Sequence, residues 1–190
     1  IKSIASYFDK LYSTDIDDDF SEHGTVSGVI TSIRSQRMGK DRFINILSID
    51  DSTHRLEIIL FSDVYEKYRN LIKENEILFF SGVIAMDDYN GDLSMKAAKV
   101  IDMDSARQQY SKEIEIFILP EHINDNILAR IVHLLEPHKN GKCPLTIKCL
   151  SNQHIVPLEL DNEWLINPSS TLINGLSDLL GKENIIVKYE

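Results

Sequence analysis

The chain has 190 residues, 43% of them hydrophobic, which is enough for one or two domains with buried cores. It contains no run of about 18 apolar residues, so the sequence excludes a membrane-spanning helix. A net charge of −10 argues against a general coat for nucleic acid, and no secretory signal peptide is present.

Residues 1–23 are predicted to form a short amphipathic helix and an acidic linker. The apolar stripe of the helix consists of Ile1, Ile4, Ala5, Phe8, Leu11 and Tyr12. The run from Asp15 to Asp19 follows, and its charge is typical of a solvated linker. Because the chain begins with Ile1 rather than Met, we expect it to be a piece of a longer protein.

Residues 24–102 are predicted to form five strands with one helix between the third and the fourth. The strands are Gly24–Arg34, Arg42–Asp50, Arg55–Phe61, Glu76–Met86 and Leu93–Ile101, and the helix is Ser62–Glu74. This order is typical of the OB-fold, a five-stranded Greek-key barrel that holds single-stranded nucleic acid or another protein. We place the domain at residues 24–110, with further helical turns over Asp104–Tyr110.

The barrel segment is the least acidic part of the chain, with 10 basic and 12 acidic side chains. The loop after its first strand carries Arg34, Arg37, Lys40 and Arg42 against Asp41 alone. These basic residues are candidates for phosphate contact, and Phe43 is the candidate for stacking on a base. Arg55 on the third strand and Lys96 on the fifth are further candidates. For each of them the alternative is an ordinary solvated or core residue.

Residues 111–190 are predicted to form a small α+β domain of β-α-β-β-α-β order. The four strands are expected at Glu113–Leu119, Pro144–Leu150, His154–Leu160 and Asn184–Tyr189, and the two helices at Asn124–Leu135 and Ser170–Leu180. Gly181 is predicted to end the second helix as a C-cap. The chain as a whole is therefore predicted to be mainly β, followed by α+β.

Motifs for catalysis, metals and cofactors are missing from the sequence. The acidic runs at Asp15–Asp19 and Asp87–Asp92 lack the spacing of a calcium loop, and the second is explained by a hairpin turn at Asn90-Gly91. No zinc spacing, phosphate loop or nucleophile elbow occurs. We therefore expect no catalytic residue, no metal and no cofactor. The two cysteines, Cys143 and Cys149, indicate buried thiols in a reducing cytoplasm.

An ordered set of short segments resembles the C-terminal region of the α subunit of bacterial DNA polymerase III. In the barrel the segments are Arg37–Lys40, Ile46–Asp51, Arg55–Glu57, Leu60-Phe61, Tyr65–Tyr68, Ser81-Gly82 and Asp102–Arg107. In the tail they are Leu135–His138, Gly141, Pro144, Trp164, Asn167–Ser169 and Leu179–Gly181. Single dipeptides carry little information, but their common order through most of the chain is specific.

The resemblance implies a function in DNA replication without catalysis by this chain, since the family's polymerase chemistry lies upstream. It implies that the barrel holds single-stranded template DNA weakly and that the last domain docks the clamp-loader subunit tau. Candidates for the tau contact are Trp164, Leu172, Leu176 and Leu179, and for all four the alternative is a place in the core of the domain, which the helical stripe favours for the leucines. The partners would be single-stranded DNA, tau and the upstream polymerase chain, in the cytoplasm and away from membranes.

Two other functions are compatible with parts of the sequence. The negative net charge of the chain favours a purely protein-binding adaptor, in which the barrel contacts no DNA. An OB-fold that binds transfer RNA is possible on fold alone, but the resemblance of the tail argues against it.

Overall fold

The computed structural model describes residues 1–13, 20–38, 42–87, 91–123, 126–151 and 154–189. The chain divides into two compact units, Ile1–Met103 and Asp104–Glu190. The acidic linker at Asp15–Asp19 and the tip of the predicted hairpin at Asn90 lie outside the described residues. Within the described ranges, no helix is long and apolar enough to cross a membrane.

The first unit is a closed five-stranded barrel, which confirms the predicted OB-fold. Its elements are α1 (Ile4–Ser13), β1 (Ser21–Met38), β2 (Arg42–Asp50), β3 (Arg55–Phe61), α2 (Ser62–Tyr68), β4 (Ile77–Met86) and β5 (Leu93–Ile101). The strands follow the order β1-β2-β3-β5-β4, and β4 pairs with β1 to close the barrel. Within the described part of this barrel, the β3–β5 pair is parallel and the other strand pairs are antiparallel.

Alternation along the strands fills the interior of the barrel. Ile30, Leu47, Ile58, Phe80 and Met95 come from five different strands and are fully buried together. Successive side chains of a strand point to opposite faces, so the residues between them face outward. Gly82 allows close pairing of β4 with β5, because a Cβ there would lie 2.1 Å from the carbonyl oxygen of Lys96.

The N-terminal helix α1 is part of the barrel core. Ile4 and Tyr7 are fully buried in it, whereas Ile1 is exposed. Gly24 leaves room for the Tyr7 ring, since a Cβ would lie 2.1 Å from its hydroxyl oxygen. The predicted apolar stripe was therefore wrong in omitting Tyr7 and including Ile1, because Ile1 precedes the helix and Tyr7 lies three residues after Ile4 on the same face.

The second unit is an open sheet covered by two helices. It contains α3 (Met103–Tyr110), β6 (Ser111–Ile118), α4 (Ile127–Leu135), β7 (Lys139–Cys143), β8 (Leu145–Ser151), β9 (His154–Glu159), α5 (Ser170–Leu180) and β10 (Ile185–Tyr189). The sheet has the order β10-β6-β8-β9, with β6 parallel to β8. This arrangement confirms the predicted α+β class, with the short strand β7 as an addition.

Helix α3 from Asp104 onward belongs to the second unit, whereas residues 104–110 were predicted to belong to the barrel domain. The Asp104 carboxylate accepts hydrogen bonds from the Ser170 amide at 2.8 Å and the Ser170 hydroxyl at 2.7 Å. Arg107 also donates to the Ser170 hydroxyl. These bonds tie α3 to the start of α5.

Strand β7, which contains Cys143, is an addition to the predicted order of elements. The polar segment Lys139–Cys143 lacks alternation, yet Lys139 and Cys143 both bridge to Ile166. Gly141 permits this approach, because a Cβ would lie 2.1 Å from the backbone of Ile166. Cys143 on β7 is buried and Cys149 on β8 is half-buried, and both are free thiols. Burial raises the pKa of Cys143 to about 11, so its thiol is inert at neutral pH.

Candidate nucleic-acid interface

The outward-facing side chains of four barrel strands form rows across the sheet. In one row, Arg34 on β1 lies in register with Ile46 on β2, which lies opposite Ile59 on β3. Ile59 in turn lies beside Lys96 on β5. The row therefore has a cation at each end, whereas between them Ile46 is buried and Ile59 is half-buried. Its two ends offer charges suited to the phosphates of a nucleic-acid strand.

The next row toward the end of the barrel ends in an exposed aromatic ring. Gln36, Ile44 and Phe61 are in register on β1, β2 and β3. The Phe61 side chain remains 46% exposed, and the sequence analysis did not select it. Its signal was present in the alternation of β3, which places Arg55, Glu57, Ile59 and Phe61 on one face.

Phe43 lies at the same end of the barrel and is 52% exposed. Phe43 lies four residues before the inward-facing Leu47, so alternation places both on the same side of β2. The strand extends beyond the core at this point, and the Phe43 ring therefore lies at the rim of the barrel. The Phe43 carbonyl accepts a hydrogen bond from the Ser62 hydroxyl at 2.7 Å, which fixes the backbone at the start of α2. Stacking of a base on Phe43 stays a prediction.

Two of the predicted basic residues are already paired with carboxylates. Arg34 donates to both oxygens of Glu57, at 2.6 and 2.8 Å. Arg55 donates to Asp50 at 3.1 Å. The Lys96 side chain, by contrast, is exposed and makes no hydrogen bond or ion pair with another described residue.

The remaining basic residues lie around the loop after β1. Arg37 is exposed near the end of β1, opposite Phe43. Lys40 lies outside the described residues, and of Arg42 only the backbone, at the start of β2, is described. The predicted cluster is therefore only partly placed, and its contact with DNA stays a prediction.

The turn between β2 and β3 is held by two aspartates. Asp50 accepts the Ser52 amide at 2.8 Å, and the Ser52 amide together with Arg55 lowers the pKa of Asp50. Ser52 takes a positive φ of 72°, which this four-residue turn requires. Asp51 accepts from the amides of Thr53 and His54. The turn therefore fixes the pairing register of β2 and β3, which decides which of their outward-facing residues lie side by side.

A polar cleft of about 320 Å³ lies beside the outward rows of the barrel. Its walls include Phe8 of α1, Arg55, Glu57, Asp92 and Ser94. Phe8 stacks on the His54 ring with a centroid distance of 4.9 Å. Helix α1 thus contributes directly to one wall of the candidate interface.

The candidate partner residues of the second unit occupy different environments. Leu172 and Leu176 are 1% and 0% exposed, so their side chains pack in the core beneath α5. Leu179 is half-buried. Trp164 is also half-buried, and the Lys139 ammonium lies 3.9 Å from the centroid of its ring. Trp164 and Leu179 therefore remain as surface candidates.

A groove of about 620 Å³ separates α4 from α5. Arg130, His133 and Leu134 line it from α4, and Asp178 and Leu179 line it from α5. Leu179 thus lies beside charges of both signs. In the part of the chain that the structure describes, no three His, Cys, Asp or Glu side chains meet in the way a metal ion would require.

Comparison with known protein families identifies both units. Residues 25–103 match the model described as an OB-fold nucleic acid binding domain. Residues 130–181 match the model described as DNA polymerase III subunit alpha, C-terminal domain. The two matches fall in the barrel and in the unit that contains α4 and α5, respectively.

Curated relatives give the same result over most of the chain. DNA polymerase III subunit alpha of Vibrio cholerae is 32% identical over 87% of this chain, and that of Escherichia coli K12 is also 32% identical over 87%. The chain spans 14% of the length of each. The second single-stranded DNA binding protein of Mycobacterium smegmatis aligns with 44% of this chain and 87% of its own, at 14% identity and a TM-score of 0.40.

Proposed function

This chain belongs to the family of DNA polymerase III α subunits, to whose C-terminal region it corresponds, and on that premise we propose that its barrel weakly holds single-stranded template DNA during replication. The observation that carries the proposal is the outward row of β1, β2, β3 and β5. There Arg34 and Lys96 lie at the two ends of a row, in the segment that matches the OB-fold model, and supply positive charge for a phosphate backbone. Binding would be weak, because few phosphates are neutralised and the chain is acidic overall.

The second unit would dock the clamp-loader subunit tau. Support comes from the family match over residues 130–181, which includes Trp164 and the groove between α4 and α5. Trp is frequent at interaction hot spots, and the half-buried ring of Trp164 leaves apolar area for a partner. Leu179 would contribute from the groove.

We assign no catalysis, cofactor or metal to this chain. Polymerisation would belong to the upstream part of the polymerase, with which this region would act in the cytoplasm. The proposed role is to hold a strand and a partner near that active centre.

An adaptor that binds protein alone is the second candidate function. The observation that favours it is the pairing of Arg34 with Glu57 and of Arg55 with Asp50, which neutralises two cations of the barrel face. In that case the barrel would act as a spacer, and only the second unit would bind a partner.

Charge reversal of the loop after β1 tests the DNA contact. The triple variant Arg37→Glu, Lys40→Glu and Arg42→Glu should lose single-stranded DNA binding in fluorescence anisotropy. It should still bind purified tau. Unchanged DNA binding would contradict the loop assignment.

The matched control reverses three exposed lysines of the second unit, Lys112, Lys142 and Lys182. It makes the same change in net charge and should weaken DNA binding much less than the loop variant, because these residues lie outside the barrel. The converse variant, Trp164→Ala, should weaken tau binding and leave DNA binding intact. Equal losses from both triple variants would show that net charge alone controls binding.

A further inference from the structure

The carboxylate of Glu57 lies on the candidate DNA face, on the outward side of β3. Glu57 lies two residues before Ile59 on the outward row of β3, and it receives both hydrogen bonds that Arg34 donates. The side chains are 44% and 57% exposed, so the pair is in contact with solvent. Among the described residues, the Glu57 carboxylate accepts no other hydrogen bond.

A carboxylate in this position resembles a nucleic-acid phosphate in the two properties that Arg recognises. Both groups are anionic, and both present two oxygens to the planar guanidinium. Exposed ion pairs contribute little net stability, because solvent screens them and two side chains must be ordered. A phosphate could therefore displace Glu57 from Arg34 at little cost to the fold.

We infer that Glu57 is an internal competitor for the phosphate site at Arg34 and thereby limits the affinity of the barrel for single-stranded nucleic acid. This inference rests on the proposed binding of DNA by the barrel. It identifies Arg34 as a phosphate contact that is available only after Glu57 moves away.

The second pair on this face is held differently. Asp50 accepts both from Arg55 and from the Ser52 amide, so its position is fixed by the turn. Moving Asp50 would break that turn, whereas moving Glu57 breaks only its pair with Arg34. The competition is therefore assigned to Glu57 and not to Asp50.

Removing the charge of Glu57 gives a test by gain of function, which misfolding does not mimic. The variant Glu57→Gln should bind a single-stranded oligonucleotide about two- to fivefold more tightly at low salt, the range expected for one exposed charge pair. The slope of log affinity against log salt should steepen by about 0.7, the value for one more neutralised phosphate on a single strand.

The matched control is Glu66→Gln. Glu66, on α2, forms a similarly exposed pair with Arg69 at 3.3 Å and belongs to neither outward row. The Glu66→Gln variant changes the net charge by the same amount as Glu57→Gln, and its affinity for the oligonucleotide should match that of the parent protein. In the double variant Arg34→Gln with Glu57→Gln, the gain should disappear, because the liberated guanidinium is absent.

The possible outcomes distinguish failure of the inference from failure of the proposed function. If the parent protein binds and Glu57→Gln binds no better, the inference is wrong and the proposed function stands. An equal gain in Glu66→Gln, or a gain that persists in the double variant, also overturns the inference. If neither the parent nor Glu57→Gln binds at low salt, the proposed DNA binding fails together with it.

Discussion

The docking of α1 on the barrel depends on the carboxylate of Asp51. One oxygen accepts the Ile4 amide at 2.7 Å, and the other accepts the amides of Thr53 at 2.9 Å and His54 at 3.0 Å and the Thr53 hydroxyl. Burial by itself would raise the pKa of Asp51. The four donors outweigh burial and lower that pKa to about 2, from an ordinary value of 3.8.

The substitution Asp51→Asn keeps the shape of the side chain and removes its charge. Each pKa unit corresponds to about 1.36 kcal/mol, so the charged form stabilises the folded state by about 2 kcal/mol at pH 7. Because the folded-state pKa is depressed, this contribution is complete above about pH 4 and is lost as the pH falls through about 2. About half of it should remain at pH 3.

Urea unfolding followed by far-UV circular dichroism measures the difference at pH 7 and at pH 3. The parent protein should exceed Asp51→Asn by about 2 kcal/mol at pH 7 and by about 1 kcal/mol at pH 3. The control Asp9→Asn changes an exposed residue of the same helix and should stay within about 0.5 kcal/mol of the parent at both pH values. A difference for Asp51→Asn that is absent at pH 7, or equal at both pH values, would refute the reasoning.

Other substitutions test packing and the binding face. Phe61→Ala should weaken single-stranded DNA binding in anisotropy titrations by about 1–3 kcal/mol if a base stacks there, whereas the equally exposed Ile77 on β4 should tolerate alanine. Leu176→Ala should lower the free energy of unfolding of the second unit by about 3–5 kcal/mol in urea unfolding. The same substitution at the exposed Leu128 should lower it by under about 1 kcal/mol. Gly82→Ala should lower the melting temperature of the barrel, because its Cβ would clash with the Lys96 carbonyl; an unchanged melting temperature would contradict the close approach.

Local patterns in the sequence were sufficient to predict most of the fold. Alternation located the strands of the barrel, and helix α5 begins and ends at the predicted residues, with Ser169 accepting the Leu172 amide at its start and Gly181 at its end. The strand β7 was missed because it is short and polar. Its pairing with Ile166 depends on a contact between distant segments, which no local pattern contains.

The candidate site was less accessible to sequence reasoning. Arg34 was selected for its charge, but its neutralisation by Glu57 depends on the register of three strands. The exposure of Phe61 likewise depends on where β3 ends on the barrel. Leu172 and Leu176 were named for docking from a helical stripe, and such a stripe does not distinguish a core from an interface.

Binding of a labelled single-stranded oligonucleotide, measured by fluorescence anisotropy at low and moderate salt, tests the central claim most directly. A duplex of the same sequence serves as the control. We expect the barrel to bind weakly, to prefer the single strand over the duplex, and to lose affinity as the salt concentration rises. No binding of the single strand at low salt, or equal binding of the duplex, would contradict a barrel that holds template DNA and would favour the adaptor.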